Sequence, residues 1–363
     1  MNITPYDAFI RYLMQKGAKM HFPVSGTLEL TSRCTLDCKM CYIHCKQNDA
    51  DALKNEKSTS WWLDLIEKMK AHGTLTVLIT GGEPLLRPDF DEIYKACAKS
   101  GMIMQVNTNG TLITDKIIQL FKEYPPNVVN VTLYGASNET YKKLCGKEEF
   151  DRVYNAIKKL KAEGISVRVN YSITKINKDD FDKAVRLCED ISVPIRATSY
   201  MFPATRKCKT PCEEFRLSAA EAAAMSIHAR ELIAPEEFKK SIEAVKNNES
   251  LRLCDDDCMT LPGERISCMA GASSFWITYD GFLTPCGMLN YPRIELKSFD
   301  EDWESLKKCR SEIVLPEKCA NCSLKGLCES CAAATKAETG SFDKVPEYLC
   351  EKTKAFYELI MKR

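Results

Sequence analysis

The sequence predicts an α/β protein, a partial (β/α)6 TIM-type barrel followed by a small cysteine-rich C-terminal domain, and three observations favour this fold. Residues 27–201 alternate short β-rich runs with longer amphipathic stretches, the pattern of repeated βα units and a parallel sheet. Six such units are fewer than the eight that close a full barrel. Closely spaced cysteines follow, and residues 309–350 show too little apolar periodicity to form a core of their own.

The composition excludes several classes of protein. Lys+Arg 51 against Asp+Glu 50 gives a formal charge of +1, so no basic excess favours binding to nucleic acid or to an anionic membrane. Asp7, Arg11 and Lys16 interrupt the apolar N-terminal positions, and no run of about eighteen apolar residues occurs, so we expect neither a signal peptide nor a membrane span. We therefore expect a cytoplasmic protein. Because structural disulfides are rare in the cytoplasm, the 19 cysteines indicate metal binding or redox chemistry.

Six candidate strands and five candidate helices make up the predicted barrel. The strands are expected at residues 27–31, 75–80, 103–108, 127–134, 166–174 and 194–201. The helices are expected at residues 61–71, 90–99, 115–124, 150–163 and 179–190. Because right-handed crossovers place the loop after each strand on the same rim, the active site is expected there.

Four parts are predicted along the chain: an N-terminal helical segment (1–21), the barrel (22–212), a helical bridge (213–262) and the C-terminal domain (263–363). Ser218, with Glu221 at the capping-box position, predicts a bridge helix over residues 217–232. Asp280-Gly281 predicts a hairpin between strands at 274–279 and 282–286. Metal ligation would have to supply the folding energy of residues 309–350.

A first cysteine cluster follows the first predicted strand, in the run LELTSRCTLDCKMCYIHC. Cys34, Cys38 and Cys41 could hold three irons of a [4Fe–4S] cube and leave the fourth iron open to a cofactor or substrate. A zinc site joined by His44 and Cys45, or a set of buried thiols, remains the alternative.

The second strand leads into Gly81-Gly82-Glu83-Pro84, where paired glycines allow another group to approach the backbone closely. The C-x3-C-x2-C motif after strand one, with GGEP after strand two, resembles the radical S-adenosylmethionine (radical SAM) superfamily from about residue 24 to 202. The resemblance implies that the methionine end of S-adenosylmethionine chelates the open iron and that Gly81, Gly82 and Glu83 receive its amino group. One electron would then cleave the sulfonium to methionine and a 5′-deoxyadenosyl radical.

Other candidate cofactor contacts follow from the same resemblance. Thr132, in VTLYGAS, matches the family's ribose region. Arg168, Asn170 and Ser172 share one face of a strand, which fits a polar barrel lumen, and Arg168 could pair with the cofactor carboxylate or be a solvated edge residue. Met40 stands where the family usually has an aromatic residue that packs on adenine, and methionine can pack there too.

A second cysteine field fills the C-terminal third and exceeds the needs of one zinc ion. Its spacing resembles the SPASM extension of radical SAM enzymes, with two residues between Cys328 and Cys331 where three are commoner. The resemblance implies a distal auxiliary cluster on Cys319, Cys322, Cys328 and Cys350, and a nearer one on Cys268, Cys286 and Cys331. The nearer cluster's fourth ligand is unassigned: Cys309, Cys254, Cys258 and an open site are candidates. A pair of zinc knuckles is the alternative.

The remaining cysteines divide into two kinds. Cys97, Cys145 and Cys188 lie singly in apolar helical contexts and are expected to be small core residues. The pairs Cys208-x3-Cys212 and Cys254-x3-Cys258 could meet as a further metal site or redox pair, which the sequence leaves open.

The resemblance implies a peptide maturase that oxidises a side chain of a ribosomally made precursor peptide, often closing a thioether or carbon–carbon crosslink. An anaerobic sulfatase maturase, which forms formylglycine, is the alternative. Gly287 stands where such enzymes have an aspartate base after Cys286, which argues against this chemistry unless Asp280 or another carboxylate replaces the base. An Fe–S electron carrier without catalysis is the alternative of another class. The 26 residues before Thr27 are too few for an N-terminal domain that binds the leader of the peptide, so we expect a separate leader-binding protein or the bridge to hold it. We expect a flavodoxin or ferredoxin as the reductant.

Overall fold

The computed structural model describes residues 5–43, 45–204, 206, 211–247 and 268–363. The predicted boundary at residues 262 and 263 lies outside these ranges, as do His44, Cys208, Cys254 and Cys258. The question of whether the two C-x3-C pairs meet therefore concerns residues outside the described structure, apart from Cys212.

The strands and helices follow the predicted βα alternation. In chain order the strands are β1 (Ser25–Glu29), β2 (Arg33–Cys34), β3 (Cys45–Lys46), β4 (Thr76–Thr80), β5 (Ile103–Thr108), β6 (Val128–Thr132), β7 (Val167–Ser172), β8 (Ile195–Thr198), β9 (Ser274–Ile277), β10 (Phe282–Thr284) and β11 (Ile294–Glu295). The helices are α1 (Pro5–Met20), α2 (Ala50–Asn55), α3 (Thr59–Ala71), α4 (Phe90–Lys99), α5 (Asp115–Glu123), α6 (Asn138–Cys145), α7 (Phe150–Ala162), α8 (Phe181–Asp190), α9 (Cys212–Phe215), α10 (Ala219–Ile233), α11 (Pro235–Lys246), α12 (Phe299–Glu312), α13 (Glu317–Ala320), α14 (Ala332–Thr339) and α15 (Glu347–Met361).

The main sheet confirms the partial barrel and extends it. Its strand order is β11-β10-β9-β1-β4-β5-β6-β7-β8, and the six strands from β1 to β8 in this order are parallel. The predicted C-terminal hairpin forms, because β10 pairs with β9 in antiparallel fashion. Strand β9 also pairs in parallel with β1. The C-terminal cysteine region is therefore attached directly to the strand that precedes the first cysteine cluster.

Strand alternation divides the sheet into an apolar outer face and a polar inner face. Along β7, Val167, Val169 and Tyr171 are buried, whereas the residues between them are only half buried. The buried set belongs to one hydrophobic core that also includes Trp62, Phe121 and other residues of the surrounding helices. The inner face is thus left as a polar lumen, as the sequence predicts for Arg168, Asn170 and Ser172.

The bridge and the C-terminal helices are joined to the barrel by a buried ion pair. Arg216 donates to both carboxylate oxygens of Glu338 at 3.1 and 2.5 Å, and the Tyr200 hydroxyl donates to the same carboxylate at 2.8 Å. The guanidinium also lies 3.3 Å from the ring centroid of Tyr348. These contacts connect the end of the barrel, the bridge and α14.

The boundaries of the predicted barrel strands and helices agree with the structure within a few residues, whereas helices α2, α12 and α15 were not predicted. The capping box of Ser218 and Glu221 forms as predicted and begins α10. Helix α6 was not predicted, because its eight residues are mostly polar and charged. No helix among the described residues is long and apolar enough to cross a membrane.

Candidate active site

The loop with the first cysteine cluster is held by its backbone at the rim after β1. The amides of Asp37 and Lys39 donate to the carbonyls of Cys145 and Leu144, both at 3.0 Å. On the other side, the amide of Glu83 donates to the carbonyl of Arg33 at 2.9 Å. The loop is therefore fixed between the end of α6 and the turn after β4.

The three cysteines of this loop lie close enough to interact electrostatically. Burial raises the pKa of the Cys34 thiol, and the Glu83 carboxylate and the Cys38 and Cys41 thiols raise it further. The Cys34 sulfur accepts hydrogen bonds from the Leu36 amide at 3.5 Å and from the Asn109 side chain at 3.4 Å. Such donors suit a sulfur that carries negative charge as an iron ligand.

Gly81 and Gly82 allow the backbone of the cysteine loop to approach the turn after β4 closely. A Cβ atom on Gly81 would lie 2.4 Å from the Thr31 carbonyl oxygen, and one on Gly82 would lie 2.4 Å from the Arg33 carbonyl oxygen. The amide of Gly82 also donates to the Thr31 carbonyl at 2.7 Å. The absence of side chains at Gly81 and Gly82 therefore lets the cysteine loop pack against the turn, and their contact with the cofactor stays a prediction.

Glu83 is fully buried at the start of the Pro84–Leu86 turn. Its carboxylate accepts hydrogen bonds from the Thr108 hydroxyl at 2.8 Å, the Asn109 amide at 2.7 Å and the Leu85 amide at 3.1 Å. Burial nevertheless raises its pKa to about 7. This carboxyl group can therefore hold or release a proton near neutral pH beside the Cys34 sulfur.

The predicted lumen residues form a ladder of hydrogen bonds across three strands. Arg168 donates to the Asn130 side-chain oxygen at 2.9 and 2.6 Å, and the Asn130 side-chain amide donates to Asn107 at 2.9 Å. Thr132 and Asn170 pair directly across β6 and β7. Arg168 is thus bonded within the protein, rather than being a solvated edge residue.

Met40 lies in the hydrophobic core at 8% exposure, so this side chain packs on protein atoms. Its expected packing on adenine stays a prediction. Asn109, which joins the Cys34 sulfur to the Glu83 turn, was missed altogether. The polar run Thr108-Asn109 at the end of a buried strand was the available signal.

A buried ion pair that the sequence did not reveal lies between the cluster loop and the C-terminal hairpin. The Arg206 guanidinium donates to the two carboxylate oxygens of Glu29 at 2.8 and 2.9 Å, and Trp276 Nε1 donates to the same group at 2.8 Å. Arg206 also lies over the Tyr42 ring, 5.6 Å from its centroid. Burial is the main cause that raises the pKa of Glu29, and Arg206 opposes it.

Gly287 is part of the same arrangement. Arg206 donates to the Gly287 carbonyl at 3.2 Å. A Cβ atom at this position would lie 2.7 Å from the Trp276 ring. The indole therefore occupies the space that a side chain after Cys286 would need.

The C-terminal cysteines interact electrostatically within two adjacent groups. Burial raises the pKa of Cys319 to about 11, and Cys350, Cys328 and Cys322 add to the effect. In the same loop, the buried Lys325 ammonium lacks a hydrogen-bond partner. The Lys325 amide donates to the Cys322 carbonyl at 3.1 Å, so an anionic cluster on the neighbouring cysteines would place negative charge near this loop.

The second group is smaller and lies beside the first. Burial raises the pKa of Cys286 to about 12, with Cys268 and Cys331 contributing. Burial likewise raises the pKa of Cys331 to about 11, with contributions from Cys268 and Cys328. Cys328 and Cys331 thus place the two groups next to each other.

Within the described ranges, no three His, Cys, Asp or Glu side chains are arranged to hold a single metal ion. A four-iron cluster takes each thiolate at a separate iron, so its ligands lie farther apart than those of one ion. Cys97 and Cys188 are buried core residues, as predicted. Cys309 lies in α12 beside Arg310, whose guanidinium donates to the Cys268 carbonyl at 2.9 Å.

Comparison with known proteins identifies the barrel. Residues 28–190 match the model of the radical SAM superfamily. These residues form a radical SAM domain. It is an enzyme, since its relatives include synthases and maturases. Members of this superfamily use a [4Fe–4S] cluster and S-adenosylmethionine, and the grouped Cys34, Cys38 and Cys41 fit such a cluster.

The relatives of this radical SAM protein have different activities. An AdoMet-dependent heme synthase from Methanosarcina barkeri is 25% identical over 331 residues, covering 86% of this chain and 92% of the relative. The sporulation killing factor maturation protein SkfB of Bacillus subtilis is 26% identical over 275 residues, covering 75% and 62%. The crystal structure of Streptococcus suis SuiB bound to precursor peptide SuiA matches with a TM-score of 0.65 and 20% identity over 96% of this chain and 81% of that one. This structural likeness shows the shared fold.

Proposed function

We propose that this radical SAM enzyme is a peptide maturase of the SPASM group, which oxidises a side chain of a ribosomally made precursor peptide. Its SAM-cleaving cluster is held by Cys34, Cys38 and Cys41. Two auxiliary clusters are held by Cys319, Cys322, Cys328 and Cys350, and by Cys268, Cys286 and Cys331 with a fourth ligand unassigned. The cofactor, when bound, supplies a 5′-deoxyadenosyl radical.

The polar lumen of the barrel is the observation that best supports a peptide as the substrate. Lumen-facing positions, assigned from strand register and alternation, are Ser25, Thr27, Glu29, Thr76, Leu78, Thr80, Ile103, Gln105, Asn107, Val128, Asn130, Thr132, Arg168, Asn170, Ser172, Arg196, Thr198, Ser274 and Trp276, most of them polar. Amide, hydroxyl and guanidinium groups of this kind match the donors and acceptors of a peptide backbone. A polar wall cannot bury a large apolar ligand without leaving unpaired polar groups.

The chain's own residues bind and orient in this proposal. The turn of Gly81, Gly82 and Glu83 and the strand position Thr132 contact the cofactor beside the cluster. Glu29 and Arg206 join the cluster loop to the loop after Cys286, so that the radical site and the nearer auxiliary cluster keep a fixed separation. The Glu83 carboxyl, whose pKa is raised to about 7 by burial, accepts or retains a proton at this site.

The names and coverage of the relatives favour a second candidate, synthesis of a heme-like tetrapyrrole. The heme synthase of M. barkeri aligns over 92% of its own length. A flat tetrapyrrole would need apolar walls on both faces, whereas the lumen described above offers mainly polar groups. Formylglycine formation is disfavoured by Trp276, which fills the space where a side chain after Cys286 would stand.

The proposal is tested by anaerobic reconstitution with iron and sulfide, followed by assay of two kinds of substrate. Three cubes require about twelve irons per chain, and Cys331→Ala should lose about four of them. Synthetic peptides encoded beside the gene should lose two hydrogen atoms by mass spectrometry in the presence of S-adenosylmethionine and dithionite. A Cys38→Ala variant is the control.

Two results would contradict the proposal. About four irons per chain, with zinc making up the rest, would remove the auxiliary clusters. Turnover of an iron tetrapyrrole by wild-type protein, with no change in any peptide, would replace the peptide substrate by the second candidate.

A further inference from the structure

Two hydrogen-bonding side chains converge on the Cys38 sulfur, and neither belongs to the candidate cofactor residues. The Cys38 thiol shares a hydrogen bond with the Cys145 thiol, and the Tyr134 hydroxyl contacts the same sulfur. Cys145 looked like an ordinary core residue in the sequence. The structure places it against a candidate iron ligand.

The backbone fixes this arrangement independently of the side chains. Asp37 and Lys39, on either side of Cys38, donate their amides to the carbonyls of Cys145 and Leu144 at 3.0 Å. Cys145 is the last residue of α6, and Gly146 ends the helix with φ of 76°. These two backbone hydrogen bonds, one on each side of Cys38, therefore hold the C-terminal end of α6 next to the Cys38 side chain.

The contact between Cys38 and Cys145 is also shielded from water. Cys38 is 6% exposed and Cys145 is fully buried, and both belong to the main hydrophobic core. No solvent can replace the hydrogen bond between them, so the thiol proton has few other acceptors.

Counting protons gives the direction of the hydrogen bond in the loaded enzyme. In the metal-free protein each sulfur carries a proton and either can donate. When iron replaces the proton of Cys38, its sulfur can only accept. The Cys145 thiol then becomes the donor, and the Tyr134 hydroxyl donates to the same sulfur.

We propose that Cys145 and Tyr134 are positioning residues for the SAM-cleaving cluster, which donate hydrogen bonds to the Cys38 sulfur and make the cluster easier to reduce. Donors to a ligand sulfur stabilise the more negative, reduced form of an iron–sulfur cluster, so they raise its reduction potential. The thiol is a weaker donor than the phenol, and the two act on one sulfur. The inference concerns the cluster itself and does not depend on which substrate is modified.

A redox titration of the reconstituted enzyme, followed by electron paramagnetic resonance, tests this proposal. The signal to follow is the one that changes when S-adenosylmethionine is added, which separates this cluster from any auxiliary cluster. The variants are Cys145→Ala, Cys145→Ser and Tyr134→Phe. Cys97→Ala is the matched control, because Cys97 is also a fully buried thiol on a helix of the same core.

We expect Cys145→Ala and Tyr134→Phe each to lower the midpoint potential of the SAM-responsive cluster. Cys145→Ser, which keeps a donor of nearly the same size, should hold the potential at or above that of the wild type. Cys97→Ala should leave it unchanged. Equal potentials in wild type and Cys145→Ala, at equal iron content, would overturn the role of Cys145.

If Cys97→Ala lowers the midpoint potential as much as Cys145→Ala does, the effect comes from a general change in core packing. That result would also overturn the proposal. If Cys145→Ala fails to load iron, Tyr134→Phe and Cys145→Ser decide the matter, because both preserve the volume of the side chain. An unchanged potential in Tyr134→Phe together with a lowered one in Cys145→Ser would then contradict the proposed donors.

Discussion

The Arg206 guanidinium contacts both carboxylate oxygens of Glu29, at 2.8 and 2.9 Å. Glu29 ends β1, whereas Arg206 follows β8, so the pair links the first and last strands of the open barrel. Trp276 of β9 donates to the same carboxylate at 2.8 Å. One buried carboxylate thus connects the barrel, the segment after it and the C-terminal hairpin.

Removal of one partner of this ion pair should destabilise the protein strongly. Arg206→Ala leaves the Glu29 carboxylate buried without its charge partner, which costs about 3–5 kcal/mol in such settings. The measurement is the free energy of unfolding in urea. Lys143→Ala, which breaks an exposed pair with Glu139, is the control and should cost less than about 1 kcal/mol. Similar losses of unfolding free energy in both variants would show that the Glu29–Arg206 pair contributes no more stability than an exposed ion pair.

Gly287→Asp should destabilise the protein without creating a useful base. The new side chain would collide with the Trp276 ring, and overpacking of this kind costs about 1–3 kcal/mol. Gly101→Asp serves as control, because a Cβ atom at Gly101 meets nothing within 4 Å and only its positive φ is strained. Equal urea midpoints for the two variants would mean that Trp276 can move aside.

Gly82→Ala should impair iron loading by Cys34, Cys38 and Cys41 and should leave iron loading by the C-terminal cysteines largely unaffected. Its Cβ atom would meet the Arg33 carbonyl oxygen at 2.4 Å and displace the cysteine loop from the turn. Gly164→Ala is the comparison, since its site is open and only its φ of 74° is unfavourable. We expect a loss of about four irons per chain in Gly82→Ala alone. Full iron content in that variant would contradict the tight fit.

The metal-free protein should lose stability as the pH rises through the range in which Glu83 titrates. Its pKa is about 7 in the folded protein, against 4.5 as the ordinary value, so the folded state holds a proton that the unfolded state has released. Stability should therefore fall by roughly 3 kcal/mol between pH 4.5 and 7 and then level off.

The variant Glu83→Gln should remove this part of the pH dependence. The test is urea unfolding at several pH values, with iron absent in both proteins. The same slope in wild type and variant would assign the pH dependence to another group.

The sequence was sufficient for features that depend on local patterns. Hydrophobic alternation predicted the six parallel strands, and spacing alone identified Cys34, Cys38 and Cys41 as one group. The Ser218 capping box formed as predicted because it depends only on residues three positions apart. These features need no knowledge of how distant segments pack.

Features that arise from distant contacts could not be predicted in this way. Glu29 and Arg206 are 177 positions apart, and nothing in the sequence around either residue points to the other. Cys145 was assigned to the core from its apolar helical context, and its contact with Cys38 appears only when α6 packs against the cysteine loop. Likewise, pairing of β9 with β1 depends on a long crossover that periodicity does not encode.

Production of 5′-deoxyadenosine by the reconstituted enzyme tests the central claim most directly. Under anaerobic conditions, with dithionite and S-adenosylmethionine, the wild-type protein should release 5′-deoxyadenosine and methionine in equal amounts. The triple variant Cys34→Ala, Cys38→Ala and Cys41→Ala should release neither, while Cys97→Ala should match the wild type. Equal 5′-deoxyadenosine from the wild type and the triple variant would contradict the assignment of the SAM-cleaving cluster to these three cysteines.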